Sequence, residues 1–260
     1  MLIGWCAPPA DADMLARLGF DFIEVPLAAC GLESAGTRAA ARATLAGLPL
    51  PAAAFNYFFP HDMRVVGPGV DVPRIKNYLA HAAALMHDAK ARVCVLGSGW
   101  ARNAPVGFPH ASAEQQFTEA LGWCADALAG SGVTLVIEPL NRKESDLVNS
   151  VADGARFAAA VARPQIRVLA DFYHMDEEHE PLDALVANRD WLAHIHLADT
   201  GRRNPGTGRY DYETFFGHLK SIGYTGMISV ECQTEDREAE MRHSLHFLRR
   251  HWPASAPRLT

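Results

Sequence analysis

Four residues that could bind a metal ion follow consecutive apolar runs in the second half of the chain. They are Glu138, Asp171, His196 and Glu231, each about one strand plus one helix beyond the last. If these runs are parallel strands, their ends can place the four side chains in one layer. Three carboxylates in such a layer would repel each other unless a cation joined them. The oxygen and nitrogen ligands suit one divalent ion: Mn²⁺, Mg²⁺, Co²⁺ or Zn²⁺.

Each of these residues has a simpler explanation when taken alone. An acidic residue after a parallel strand is commonly a helix cap or a partner of a basic side chain, so the prediction depends on the joint pattern. His194 precedes His196 by two residues and points the same way, one layer deeper. We interpret His194 as an interior histidine with hydrogen-bond partners rather than a ligand.

The elements that must position these residues alternate along the chain. Short apolar runs predict strands at residues 2–7, 22–27, 51–57, 92–97, 134–139, 166–171, 192–197 and 227–232. The runs lack clean polar alternation, as expected for parallel strands covered by helices. Eight strand–helix units without a linker predict an α/β fold, a single (β/α)8 TIM barrel domain over residues 1–260. The alternative, an open doubly wound sheet, usually has a GxGxxG after its first strand, and this chain has none there.

Apolar residues at helical spacing predict the core-facing sides of three helices. These stripes are Ile75, Leu79, Ala82 and Met86; Phe117, Leu121, Cys124 and Leu128; and Met241, Leu245, Leu248 and Trp252. Helix starts are predicted at Pro73 and at two capping-box spacings, Ser112 with Gln115 and Ser150 with Asp153.

Composition narrows the class of protein. The chain has 24 Lys and Arg against 30 Asp and Glu, a net charge of −6, which disfavours a nucleic-acid partner. No apolar stretch approaches about 18 residues, so we expect no membrane span. Five cysteines without a CxxC pair argue against a disulfide framework and a Cys-rich zinc site. Without a visible signal peptide, we expect a cytoplasmic protein.

Four motifs carry a family resemblance: IEPLNR at 137–142, DFYHM at 171–175, HIHLAD at 194–199 and SVEC at 229–232. They resemble the xylose isomerase-like barrels, and within these the ketose 3-epimerases and hydroxypyruvate isomerases. The segment at 201–212 is similar to the loop that these families place after strand 7. IEVP at 23–26 and GSGW at 97–100 are weaker similarities. The DFYH sequence is closer to the hydroxypyruvate isomerases than to the epimerases.

The resemblance implies a role for each matching residue. The metal ligands would be Glu138, Asp171, His196 and Glu231. Of these, Glu138 and Glu231 would transfer protons on opposite sides of the substrate. His174 and Arg202 would hold hydroxyl or carbonyl oxygens beside the metal. Glu144 matches a substrate-contacting acid of the epimerases.

Two tryptophans could form an apolar wall for the carbon chain of a sugar. Trp100 follows the fourth predicted strand and Trp5 lies in the first. Filling of the core is an equally good interpretation of both.

We therefore expect a divalent-metal-dependent isomerase or epimerase of a small ketose, keto sugar or 2-oxo-3-hydroxy acid. Its reaction would be proton transfer through a cis-enediolate that the metal stabilises. The main alternative is a lyase or dehydratase acting on a keto-inositol or a 3-keto-glycoside. A phosphodiesterase of the endonuclease IV type is disfavoured, because the ends of strands 3 and 4 lack its additional histidines. A non-catalytic sugar-binding barrel is disfavoured, because both proposed acid–base glutamates are present. The partners would be the small-molecule substrate and, in a homo-oligomer, further copies of the chain.

Overall fold

The computed structural model describes residues 1–252. Its eight strands are β1 (Leu2–Cys6), β2 (Phe22–Pro26), β3 (Ala54–Asn56), β4 (Val93–Leu96), β5 (Thr134–Ile137), β6 (Ile166–Asp171), β7 (Leu192–Leu197) and β8 (Met227–Val230). Its α-helices are α1 (Ala12–Leu18), α2 (Ala35–Ala46), α3 (Val72–Asp88), α4 (Gly99–Arg102), α5 (His110–Leu128), α6 (Val151–Val161), α7 (Phe172–Glu177), α8 (Ala184–Ala187), α9 (Tyr212–Ser221) and α10 (Arg237–His251). Short 3-10 turns cover Pro9–Asp11, Ala28–Cys30 and Thr200–Arg202.

The strands form a closed parallel barrel in chain order, which confirms the predicted (β/α)8 TIM barrel. The barrel closes where β1 pairs with β8, with Ile3 opposite Ile228. Strands β6 and β7 have the predicted bounds. The strand predicted at 51–57 is only Ala54–Asn56, and those predicted at 134–139 and 227–232 end at Ile137 and Val230. Glu138 and Glu231 therefore begin the loops after β5 and β8.

The two-residue period of the strands separates an apolar layer inside the barrel from a polar layer above it. Phe22, Val136, Leu169 and Met227 belong to one buried apolar cluster. Two residues beyond them, on the same side of their strands, come Glu24, Glu138, Asp171 and Ser229. The polar groups are therefore held at the carboxyl end of the barrel, above a packed apolar floor.

The helical stripes pack as predicted. All of their residues are buried except Trp252, which is partly buried against the same core. Pro73 lies in the first turn of α3, where Asp71 accepts a hydrogen bond from the Arg74 N–H. Ser150 likewise accepts from the Asp153 N–H, at 3.0 Å, and caps α6.

The predicted cap at Ser112 is wrong. Helix α5 begins at His110, and the Ala113 N–H bonds to the carbonyl of Pro109. The carbonyl of Pro109 thus accepts the first hydrogen bond of the helix, so Ser112 falls inside the first turn. Within residues 1–252, no helix has both the length and the apolar composition of a membrane span.

Candidate active site

Neighbouring strands place Glu138, Asp171, His196 and Glu231 together at the carboxyl end of the barrel. Asp171 of β6 lies opposite His196 of β7 in the strand register. The N–H of Glu138 bonds to Leu96 O at 3.2 Å, and that of Glu231 bonds to Leu197 O at 3.0 Å. One ligand atom from each of the four side chains lies within 4.8 Å of every other. The four residues singled out in the sequence thus form one cluster.

The imidazole of His196 faces the three carboxylates with one nitrogen. Its Nδ1 is 3.0 Å from Glu138 Oε1, 3.7 Å from Glu231 Oε2 and 3.9 Å from Asp171 Oδ2. The side chains of His196, Asp171 and Glu138 are 0%, 1% and 5% exposed, and that of Glu231 is 15% exposed. Charged groups so poorly hydrated need a compensating partner.

The cluster fits a divalent cation. Asp171 Oδ2 is buried and has no hydrogen-bond partner among the described residues, so one carboxylate oxygen remains available to a ligand. Three carboxylates and one imidazole are donors that Mn²⁺, Mg²⁺, Co²⁺ and Zn²⁺ accept.

Glu24 holds His196 from the other side and was missed by our sequence analysis. Its Oε1 lies 2.8 Å from His196 Nε2, and its Oε2 lies 2.9 Å from His194 Nε2. The hydroxyl of Ser229 donates a third hydrogen bond to the same carboxylate. His194 is therefore an interior histidine, as predicted. A carboxylate on the far nitrogen is the usual way in which proteins orient a metal-binding histidine.

The surroundings move the pKa values of the two glutamates in opposite directions. Burial, together with Glu231 and Asp171, raises the pKa of Glu138. Burial acts in the same direction on Glu231, but His196 and Arg202 outweigh it and lower the pKa to about 2. Two carboxylates with divergent proton affinities in one site are typical of acid–base chemistry.

Arg202 links this cluster to Glu144. Its Nη2 is 2.8 Å from Glu231 Oε2, and its Nη1 is 3.1 Å from Glu144 Oε1. The guanidinium also lies over the ring of Tyr173, 5.1 Å from the ring centre. Arg202 is thus held in place on three sides.

Asp199 organises the loop that carries Arg202. Its buried carboxylate accepts hydrogen bonds from the backbone N–H groups of Thr200 at 2.8 Å, Gly206 at 3.0 Å and Tyr210 at 3.3 Å. The last residue of HIHLAD therefore supports the loop that presents Arg202, a role that our sequence analysis did not assign.

His174 has one nitrogen engaged and the other available. Its Nδ1 accepts a hydrogen bond from the backbone N–H of Asn141 at 3.0 Å, so Nδ1 carries no proton. A neutral His174 therefore bears its proton on Nε2, which is buried without a partner among the described residues. Asn141, another residue that we did not single out, also donates to Glu144 Oε1 at 3.1 Å.

A cavity opens above the cluster, and its lining includes Glu138, Glu144, Arg202, Glu231 and Trp100. Tyr57 adds an aromatic ring that is stacked on Trp100 at 5.9 Å and is 46% exposed. Asn56, at the end of β3, donates to Glu231 Oε1 at 3.3 Å.

Trp5 does not belong to this site. It is 3% exposed and packs edge-on against Phe20. Its neighbours in β1, Gly4 and Cys6, take the barrel-facing positions, so strand alternation sends Trp5 to the helix layer. The suggested wall of two tryptophans is therefore wrong for Trp5, which fills the core.

Comparison with known proteins supplies a family and several relatives. Residues 12–251 match the family described as xylose isomerase-like TIM barrel. The 3-dehydro-D-guloside 4-epimerase of Escherichia coli K12 is 36% identical over 124 residues, or 46% of this chain and 47% of that protein. The 2-oxo-tetronate isomerase of Pectobacterium atrosepticum is 29% identical over 170 residues, or 62% of each protein. The first of these matches spans about half the length of the relative.

A solved structure shares the fold over nearly the whole chain. The crystal structure of a D-psicose 3-epimerase in the presence of D-fructose superposes with a TM-score of 0.85 at 21% identity. The superposition covers 98% of this chain and 100% of that protein. At this level of identity, the likeness establishes the fold.

Proposed function

Because the chain belongs to the xylose isomerase-like TIM barrel family, we propose that it is a divalent-metal-dependent sugar isomerase or epimerase. Its substrate would be a small ketose, a keto sugar or a 2-oxo-3-hydroxy acid. Glu138, Asp171, His196 and Glu231 would hold one metal ion, and Glu138 and Glu231 would also move the proton. Arg202, His174, Glu144 and Trp100 would bind the substrate.

One observation carries this proposal: two glutamates that belong to the same ligand cluster also line the same cavity. A carbon-bound proton beside a carbonyl is too weakly acidic for a free carboxylate to remove quickly. When bound, a divalent ion would supply the electrophile that stabilises the negative charge developing on the carbonyl oxygen.

The remaining steps fall to the residues of this chain. One of the two glutamates removes the proton beside the carbonyl, and the other returns a proton. Return to the opposite face of the same carbon gives an epimer, and return to the neighbouring carbon gives an aldose–ketose isomer. Arg202, fixed between Glu144 and Glu231, would bind a substrate oxygen, and the free Nε2–H of His174 would donate to another.

The relatives support a keto compound as substrate. One is an epimerase of a 3-dehydro-guloside and another an isomerase of 2-oxo-tetronate. Elimination of a β-group would begin with the same proton abstraction, so the reaction products must separate a lyase from an epimerase.

Solvent exchange tests the proposal. Incubation of the Mn²⁺-loaded protein in D₂O with a panel of keto sugars should place deuterium on the carbon beside the carbonyl, as seen by NMR. Glu231→Gln should reduce kcat at least about a hundredfold, within the usual range for a lost acid–base group. Glu238→Gln, which alters a surface carboxylate on α10, is the control. Unlabelled product, together with near-normal activity of Glu231→Gln, would rule out this mechanism.

A further inference from the structure

The charges around the site discriminate between the kinds of substrate that the proposed function leaves open. Two cavities lie at the mouth of the barrel, and they share the lining residues Asn56, Tyr57, Arg202 and Glu231. The first cavity is lined mainly by the loops after β4 and β5, and the second mainly by the loops after β8 and β1. Arg202 and Tyr57 line both cavities. A substrate held at the cluster must occupy one or both of these spaces.

Among the described residues, the lining of these cavities offers no basic side chain that is free to pair with an anionic substrate group. Within residues 1–252, Glu138, Glu144 and Glu231 line the cavities, and Arg202 is the one Lys, Arg or His that does so. Arg202 pairs with two of these carboxylates, at 2.8 Å and 3.1 Å. Its charge is therefore already compensated by the protein.

Nearby basic groups are not free to pair with such a group either. Arg102 is completely buried, and its nitrogens bond to Leu96 O, Glu138 O and Ser145 Oγ. The Nζ of Lys143 is 2.7 Å from Glu177 Oε2, on a side chain that is 80% exposed. His174 uses the lone pair of Nδ1 to accept from the N–H of Asn141, so only its Nε2 is available to a substrate.

We infer that the site selects an uncharged substrate, a polyhydroxy ketone or a keto-glycoside, over a carboxylate or a phosphorylated sugar. This inference rests on the proposed function and narrows it. An anionic group entering either cavity would approach the carboxylates and would compete with Glu144 and Glu231 for Arg202. Hydroxyl groups of a substrate can instead donate hydrogen bonds to the outward-facing oxygens of these carboxylates, and no ion pair has to break.

Among the relatives, the inference favours the sugar epimerases over the 2-oxo-tetronate isomerase as a guide to substrate. It disagrees with the substrate that the DFYH sequence indicates, because that sequence is closer to the hydroxypyruvate isomerases than to the epimerases. The pairing of Arg202 with Glu144 and Glu231 depends on side chains from three different loops, which a short motif does not report.

Binding of unreactive analogues tests the inference directly. Ribitol and ribitol 5-phosphate differ only in the phosphate, and calorimetry on the Mn²⁺-loaded protein should show ribitol binding at least about tenfold more tightly, or about 1.4 kcal/mol. In the deuterium-exchange assay, D-ribulose and D-fructose should likewise exceed their terminal phosphates and hydroxypyruvate in kcat/KM. Tighter binding of the phosphate, or a higher kcat/KM for hydroxypyruvate, would overturn the inference.

A variant tests the cause of the selectivity. Glu144→Gln removes one of the two carboxylates paired with Arg202, so it should improve the affinity for ribitol 5-phosphate relative to ribitol at least about threefold. Glu238→Gln is the matched control. Glu238, like Glu144, is a carboxylate paired with arginine, but its partners Arg17 and Arg242 lie on the protein surface. An unchanged ratio in Glu144→Gln would contradict the inference.

The two proposals can fail separately. If no keto compound exchanges deuterium, the proposed function is wrong, and the ranking of ribitol and its phosphate still decides the charge inference. If hydroxypyruvate exchanges fastest, the proposed function stands and the charge inference falls.

Discussion

The guanidinium of Arg102 donates a hydrogen bond of 2.7 Å from Nη2 to the main-chain oxygen of Glu138. Its Nη1 donates to Leu96 O at 3.0 Å, and its Nε to Ser145 Oγ at 3.3 Å. Burial lowers the pKa of Arg102 to about 10, against the opposing effect of Glu138 and Asp146. A buried cation thus joins the ends of β4 and β5 and fixes the backbone of one proposed proton-transfer residue.

Arg102→Met should destabilise the protein and disturb the site. The substitution keeps much of the apolar stem but leaves the buried carbonyl of Glu138 without its donor, while Leu96 O keeps the N–H of Glu138. We expect the free energy of unfolding to fall by about 1–3 kcal/mol, the usual cost of one unsatisfied buried acceptor. Urea unfolding measures this loss. A change below about 0.5 kcal/mol, the range of ordinary surface substitutions, would show that these bonds do not stabilise the fold.

Glu24→Gln should weaken metal binding while the four proposed ligands stay unchanged. The amide can still contact His196 Nε2 but cannot match the charge and the paired acceptors of the carboxylate. We expect the affinity for Mn²⁺ to fall about 10–100-fold, as is typical when a carboxylate behind a metal-binding histidine is lost. Titration calorimetry on the chelator-treated protein measures the affinity, with Glu238→Gln as the control. Unchanged affinity would mean that the barrel wall alone orients His196.

The sequence was sufficient to predict the barrel and the four clustered residues, because both follow from where apolar runs end. Glu138 and Glu231 directly follow a strand, and Asp171 and His196 are among the last two residues of one, so the proximity of all four follows once the sheet closes. Glu24 could not be assigned in the same way. It lies inside an apolar strand, and its partners His194, His196 and Ser229 are brought to it only by the closed barrel.

Other parts of the site depend on side-chain direction and loop path. Trp5 and Cys6 are adjacent in β1, and only the register shows that Trp5 points to the helices. Asp199 and Asn141 act through backbone N–H groups of loops, whose conformations have no periodic signal. Glu24 lies two residues beyond Phe22, so the two side chains point to the same side of β2. This alternation was the one sequence signal that could have indicated a buried carboxylate at Glu24.

Removal of the metal should destabilise the protein. Without a cation, the carboxylates of Glu138, Asp171 and Glu231 would face each other in a poorly hydrated layer. Treatment with EDTA should lower Tm, and Mn²⁺ or Co²⁺ should raise it again in a concentration-dependent way, because a ligand that binds only the folded state stabilises it. Differential scanning calorimetry with metal analysis measures the effect. An unchanged Tm in protein shown to be metal-free would contradict the proposed site.

Gly97→Ala should displace a proposed ligand. A Cβ at residue 97 would collide with the Glu138 carboxylate, so glycine is what allows this carboxylate its present position. We expect kcat to fall at least about tenfold, since small misplacements of reacting groups cost up to about a hundredfold. Gly217→Ala is the control, because a Cβ there meets nothing within 4 Å. Equal activity of both variants would show that Glu138 can relocate freely.

A half-buried carboxylate outside the site should give the fold its own pH dependence. Glu180 accepts a hydrogen bond from the Val151 N–H at 3.0 Å, at the start of α6. Burial raises the pKa of Glu180 to about 7, although the bond to Val151 acts in the opposite direction. The native state therefore retains a proton on Glu180 at pH values where the unfolded chain has released it.

This retained proton fixes the sign of the effect. Between about pH 4.5 and 7 the native state binds more protons at Glu180 than the unfolded state does, so the contribution of this group to stability falls as the pH rises. Glu180→Gln cannot ionise and should reduce the loss of Tm between pH 5 and 8 by about 2–4 °C, the shift that about 1 kcal/mol causes in a domain of this size. Glu213→Gln, on the exposed side of α9, should leave the pH profile unchanged. A Glu180→Gln profile parallel to that of the wild type would contradict the raised pKa.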